Sequence, residues 1–168
     1  MELPPELERA RLAGDAMAGL GVPAHVTLLF PFLEPSTIRD VELARLANVI
    51  GACPAFDFAL VAVRAFPGDA SRAVVYLAPE PAEPFRRLTR SIWRAWPDHP
   101  PYGGAFTELV PHLTIADPAP GVADLEALAR PLLPLRRRAE DAWLLVEEED
   151  ARWSRAASFP LGTPTEAP

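Results

Sequence analysis

Residues 24–32 read AHVTLLFPF and residues 109–116 read LVPHLTIA. Both contain histidine, apolar, threonine, apolar: His25-Val26-Thr27-Leu28 in the first and His112-Leu113-Thr114-Ile115 in the second. The β-branched and aromatic content of each stretch predicts a strand. Side chains at i and i+2 of a strand share a face. His25 and Thr27 therefore point one way and Val26 and Leu28 the other, and the second pattern behaves alike. Each apolar pair can bury while each polar pair faces a shared space.

The flanking segments repeat as well. Pro4 and Pro5 open a predicted helix over 6–18, ended by Gly19 and Gly21. Ser36 or Thr37 caps a second helix running to about residue 51, with a rough apolar stripe through Ile38, Val41, Ala44 (or Arg45), Val49 and Ile50. Residues 56–65 and 72–78 read as a hairpin across a longer loop. Pro84 starts a third helix that aligns Phe85, Leu88, Ile92 and Trp96 on one face, and Pro97 stops it. Then come a short strand over 109–116, a short helix over 122–130, and a hairpin over 142–148 and 152–159 turning at Glu147 to Asp150. Helix, strand, helix, hairpin thus occurs over 6–78 and again over 84–161. His25 to Phe56 and His112 to Trp143 are both 31 residues, and the halves are offset by 87. The expected architecture is α+β, a single domain over 1–168 with two pseudo-symmetric lobes and a frayed tail over 162–168.

Composition restricts the chemistry. The chain has 168 residues, enough for one domain with a substantial core. All 16 of its basic residues are arginines. Without lysine there is no Schiff base, no adenylated lysine and no phosphate-binding GxxxxGK[ST] loop. A net charge of −7 disfavours a long nucleic-acid surface, although a few arginines can hold a small anion. The single cysteine, Cys53, forms no intrachain disulfide and fits a reducing, cytoplasmic compartment. No apolar run is long enough for a membrane span, and the first eleven residues do not resemble a signal peptide.

Two histidines and two threonines facing one space suit phosphodiester cleavage without a metal. A neutral imidazole takes a proton from the attacking water, and a protonated one supplies a proton to the leaving oxygen. Unperturbed histidines populate both forms near neutrality. The threonine hydroxyls can donate to non-bridging phosphate oxygens. A cyclic phosphate fits because its ring fixes the leaving oxygen for in-line attack. The competing reading is two structural His/Thr pairs on half-buried strands, and the matched spacing of the pair weighs against it. HExxH and GxSxG are absent, so a zinc protease or serine esterase is unsupported.

The paired HVTL and HLTI motifs in a duplicated α+β frame resemble the 2H phosphoesterase superfamily. GVPAHVTLLFPF with VPHLTIA is most similar to its bacterial 2'-5' RNA ligase-like branch, over about residues 20–161. The resemblance implies two small antiparallel sheets flanking a central cleft, with helices outside. It also implies hydrolysis of 2',3'-cyclic phosphates or related nucleotide phosphodiesters. His25 and His112 would be the acid and base, in either order, and Thr27 and Thr114 the phosphate clamps. The branch usually opens with a strand before the first helix, for which Met1 to Leu3 is too short. The alternatives are ATP-independent 2'-5' ligation or RNA-end trimming, and a binding module with little turnover.

Around this centre, Phe30, Phe32, Tyr102 and Phe106 are candidates for stacking on a base, with Phe30 and Tyr102 preferred. Arg64 and Arg72, on the first hairpin, are candidates for reaching a phosphate. His99 reads as a loop residue, Cys53 as a buried small side chain, and Arg136 to Arg138 as a solvated strand edge. The expected protein is a monomer that needs no cofactor or metal. Its expected partner is a small nucleotide cyclic phosphate or an RNA terminus.

Overall fold

The structure, a computed structural model, describes residues 1–66, 73–117 and 121–163. The first helical segment is broken into α1 (Pro5–Gly14) and α2 (Ala16–Gly19). The continuous helix expected over 6–18 is interrupted because Asp15 is extended and turns its carboxylate onto the N–H of Met17, capping α2. Pro35–Thr37 forms only a 3-10 turn, and α3 (Asp40–Gly51) begins later than expected. Its start is set by Glu42, whose carboxylate accepts the main-chain N–H of Arg39.

β1 (Phe56–Ala65) and β2 (Val75–Glu80) form the first hairpin, followed by α4 (Glu83–Ala95). β3 (Leu113–Ala116) is shorter than the expected 109–116, and His112 lies just before it. Pro111 has no N–H to give to a ladder, so pairing starts only past it. α5 (Val122–Ala129), β4 (Leu135–Ala139), β5 (Asp141–Glu147) and β6 (Trp153–Pro160) complete the chain. The fold is mixed helix and sheet. β3-β2-β1-β4 form one antiparallel sheet, and β5-β6 form a second. β4, with Arg136 to Arg138, is an edge strand as its charge suggested.

The strand expected over 24–32 does not form. This segment has scattered partners in place of a neighbouring strand. The Met1 amino group donates to the Ala24 carbonyl, and the Tyr102 N–H donates to the Phe30 carbonyl. Its alternation survives without the ladder: Val26 and Leu28 pack on the first core cluster while His25 and Thr27 bond each other.

Two apolar clusters carry the frame, and α4 joins them. Phe85 meets Phe56 and Phe58 edge-on beside Leu60, Leu77, Leu113 and Ile115. One turn further along the helix, Leu88, Ile92 and Trp96 pack with Leu46 and Ile50 of α3 and with Ala142 and Phe159 of the second sheet. The stripe read from the sequence is the side of α4 that faces both clusters.

Candidate active site

Each histidine is oriented by its own chain. Nδ1 of His25 lies 2.7 Å from the carbonyl of Pro23, and Nδ1 of His112 lies 2.7 Å from the carbonyl of Val110. A carbonyl only accepts, so both Nδ1 atoms carry hydrogen, and in each neutral ring Nε2 is the nitrogen with a free lone pair. The carbonyl is two residues before the histidine in each case. Nε2 of His25 is 3.0 Å from Oγ1 of Thr27, which donates to it in the neutral ring. This is the i, i+2 relation expected of the motif.

The second motif is built differently. Thr114 is paired with Tyr76 on β2, and Tyr76 with Arg64 on β1. Paired residues on antiparallel strands project from one face. Thr114, Tyr76 and Arg64 therefore make a row across the sheet, and Arg64 is exposed at its end. The His112 ring sits against this face. Phe66 meets it edge-on at 4.9 Å and Tyr76 at 5.5 Å, while Phe66 and Tyr76 stack on each other at 4.4 Å.

Tyr102 connects the motifs. Its ring lies nearly parallel to that of His112 at 6.4 Å, its phenol contacts the Thr27 hydroxyl, and its N–H holds the Phe30 carbonyl at 2.6 Å. It does so from a left-handed backbone conformation, φ 53°, followed by Gly103 and Gly104 at positive φ. A tyrosine held there is strained, and such strain persists only where surrounding contacts over-determine it. Burial pushes the phenol's proton affinity up, with the Thr27 contact acting the other way.

Burial also lowers the proton affinity of both histidines. For His25 it is the largest influence, followed by the Pro23 carbonyl, which raises it, then the Met1 amino group and Arg11, which lower it, and Asp15, which raises it. For His112 burial lowers it and the Val110 carbonyl raises it. The population of neutral and charged rings near neutrality, expected from unperturbed histidines, is thus shifted toward two neutral rings in the free protein.

The structure thus brings the two motifs together through Tyr102 and sets Arg64 in the row of Thr114. Phe30 is 48% exposed and lies against Trp153 at 6.2 Å. Phe106 packs on Tyr102, and Phe32 packs on Trp96 and His99. Arg72 lies outside the described residues. Sequence reasoning missed Phe66 and Tyr76, although the period of β2 and its place in the hairpin were signals for Tyr76. It also missed Arg11, whose burial no local pattern announces. Among the described residues, no three His, Cys, Asp or Glu side chains gather as a metal site. No helix among them is long and apolar enough to cross a membrane.

Paired His-x-Thr motifs on a mixed frame with two antiparallel sheets are the hallmark of the 2H phosphoesterases. The comparison with known families agrees: the chain belongs to the 2'-5' RNA ligase superfamily, whose profile matches residues 2–151. Among solved structures it is similar to TT0787 of Thermus thermophilus, with a TM-score of 0.62 and 22% identity over 97% of this chain and 96% of that one. It is also similar to E. coli LigT in its apo form, with a TM-score of 0.54 and 17% identity over 97% of this chain and 95% of that one. At these identities the likeness concerns the fold. No curated protein matches the sequence.

Proposed function

We propose that the protein is a phosphodiesterase that hydrolyses 2',3'-cyclic phosphates, or related phosphodiesters of nucleotides and RNA ends, by two-histidine acid–base catalysis without a metal. The observation that carries this reading is the duplicated orientation of the imidazoles. Each has Nδ1 fixed on a carbonyl two residues back, which leaves Nε2 as the nitrogen for proton transfer in this reading. In the reaction, water attacks phosphorus while one neutral Nε2 takes its proton. The phosphorus–oxygen bond to one ribose oxygen breaks, and the other imidazole, as imidazolium, protonates that oxygen. Thr27 and Thr114 donate to the non-bridging oxygens. Arg64 reaches the phosphate or its neighbour from the end of the Thr114 row, and Phe30 and Tyr102 offer aromatic faces to a base. Ligation in the reverse direction needs the same groups and no lysine. The duplicated His-x-Thr motif fits this reading, because each copy supplies one imidazole and one hydroxyl.

The test is turnover of a panel of 2',3'-cyclic mononucleotides, cyclic-ended RNA and ADP-ribose cyclic phosphate, in EDTA. We expect activity on at least one class and a bell-shaped pH profile. His25→Ala and His112→Ala should each lower kcat by about 10²–10⁴-fold. Undiminished turnover in either variant refutes the mechanism. Activity lost in EDTA and restored by a divalent cation transfers the chemistry to a metal. Binding across the panel with no turnover supports a binding module.

A further inference from the structure

α1 ends beside both histidine segments. Arg11, in its last turn, is 4% exposed. Its Nε and Nη2 donate to the two carboxylate oxygens of Glu8 at 3.1 and 2.6 Å. Its Nη1 donates to the carbonyl of Val22 at 3.0 Å and lies 3.8 Å from the carboxylate of Asp15. Val22 is followed by Pro23, whose carbonyl holds the His25 ring. One turn beyond Arg11, the carbonyl of Gly14 accepts the N–H of Asp117 at 2.8 Å, and Asp15 bridges Asp117 in parallel. Asp117 follows β3, the strand of Thr114. The contact between Gly14 and β3 is close, since a Cβ on Gly14 would lie 2.8 Å from Cβ of Ala116.

A buried charge is a poor way to fill a core, because apolar side chains of similar volume pack there without losing hydration. What an arginine adds is direction. Its planar fork holds a carboxylate along one edge and still presents an N–H to a carbonyl on the other. We propose that Arg11 is a positioning residue for His25: anchored by Glu8 and Asp15, it fixes the Val22 carbonyl. It thereby fixes the turn that carries His25 relative to the α1 end on which the His112–Thr114 strand is seated. This deepens the two-histidine reading and rests on it for the rate measurements alone.

The charged groups facing His25 are Arg11 and the Met1 amino group, which favour the neutral ring, and Asp15, which favours the charged one. Loss of the Arg11 charge therefore moves the His25 titration to higher pH. His112 is perturbed by burial and its own carbonyl contact and does not follow.

Two variants separate position from charge. R11K keeps the charge and loses the fork. The double variant E8Q/R11M removes the charge of Arg11 together with that of its nearest carboxylate, and Asp15 keeps the N–H of Met17 as its partner. The readouts are the two imidazole titrations by NMR, kcat and KM on the best cyclic phosphate, and the melting temperature. In E8Q/R11M we expect the His25 midpoint to rise with that of His112 unmoved, and kcat to fall by about 10- to 100-fold with KM held within about twofold. In R11K we expect the His25 midpoint to stay near its original value while kcat still falls. Unchanged kcat in R11K overturns the proposal, as does a drop in melting temperature with kcat and the His25 titration both unmoved. If the unmodified protein hydrolyses no member of the panel, the functional reading fails separately. A crystal structure of R11K then decides the proposal: we expect the Val22 carbonyl and the His25 ring to shift relative to β3, and an unmoved turn overturns it.

Discussion

Anion binding should draw a proton into the site, and the amount follows from how the imidazoles are held. Burial favours the neutral ring at both His25 and His112. The proposed acid–base mechanism nevertheless needs one of them charged. The bound phosphate can supply the missing stabilisation. A negative charge about 4 Å from an imidazolium, at an effective dielectric constant of about 20, favours the charged ring by about 4 kcal/mol. That is roughly a thousandfold bias on the protonation equilibrium. The sign follows directly. The free histidines bind protons weakly, so near neutrality the free site is unprotonated and the anion complex carries one proton more. Anion affinity then falls as pH rises above the depressed midpoints of the free histidines, by up to about tenfold per pH unit. Sulfate is the probe, because it does not titrate in this range. Calorimetry at pH 7 in buffers of different ionisation enthalpy counts the protons directly, and we expect close to one per sulfate. His112→Ala and His25→Ala together should abolish the uptake. Sulfate bound with no proton exchange and a flat affinity between pH 6 and 8 refutes the reasoning, because the site would then lack an imidazole that charges on binding.

Two further outcomes are expected. Thr27→Val and Thr114→Val each remove a hydroxyl proposed to donate to the phosphate while keeping the β-branched shape. Each should lower kcat/KM on the cyclic substrate by about 10²–10³-fold with the fold intact by circular dichroism; a variant with unaltered kcat/KM exempts that threonine from the site. Leu60→Ala deletes a side chain that is wholly buried in the first cluster, beside Leu77 and Leu113. It should cost about 2–5 kcal/mol in denaturant unfolding, and a cost below about 1 kcal/mol would mean that this face of β1 is not a packed core.

The pairing of His25 with Thr27 was legible in the sequence because it is local. A histidine and a threonine two residues apart share a side in any extended segment, whether or not a ladder forms. That is why His25 and Thr27 meet although no strand spans 24–32. The stripe of α4 was legible for the same reason, being a matter of period alone. What the sequence hid depends on partners far along the chain. The neighbours of the 24–30 segment are the Met1 amino group and the Tyr102 N–H, and neither is announced by residues 24–30 themselves. The break at Asp15 pits helix propensity against a cap, and the cap wins because a carboxylate two residues before a free N–H satisfies it at little cost. Phe66 and Tyr76 became neighbours of His112 only through the register of β1, β2 and β3, which residue types do not specify.

That register also makes the two imidazoles unequal. Burial is the largest influence on His25 too, but His25 also lies among charges, with Arg11 and the Met1 amino group opposing its protonation and Asp15 favouring it, and its Nε2 is already engaged by Thr27. His112 lies among rings, and burial against Phe66, Tyr76 and Tyr102 governs its proton affinity. A substitution that alters a charge should therefore act on the first histidine and one that trims an aromatic ring on the second. Phe66→Leu reduces the apolar cover of His112 and leaves the Arg11 cluster untouched. It should raise the His112 titration midpoint while that of His25 stays fixed, the mirror image of the E8Q/R11M result. If NMR finds the two midpoints moving together in either variant, the rings are coupled through the site and their surroundings do not act on them independently.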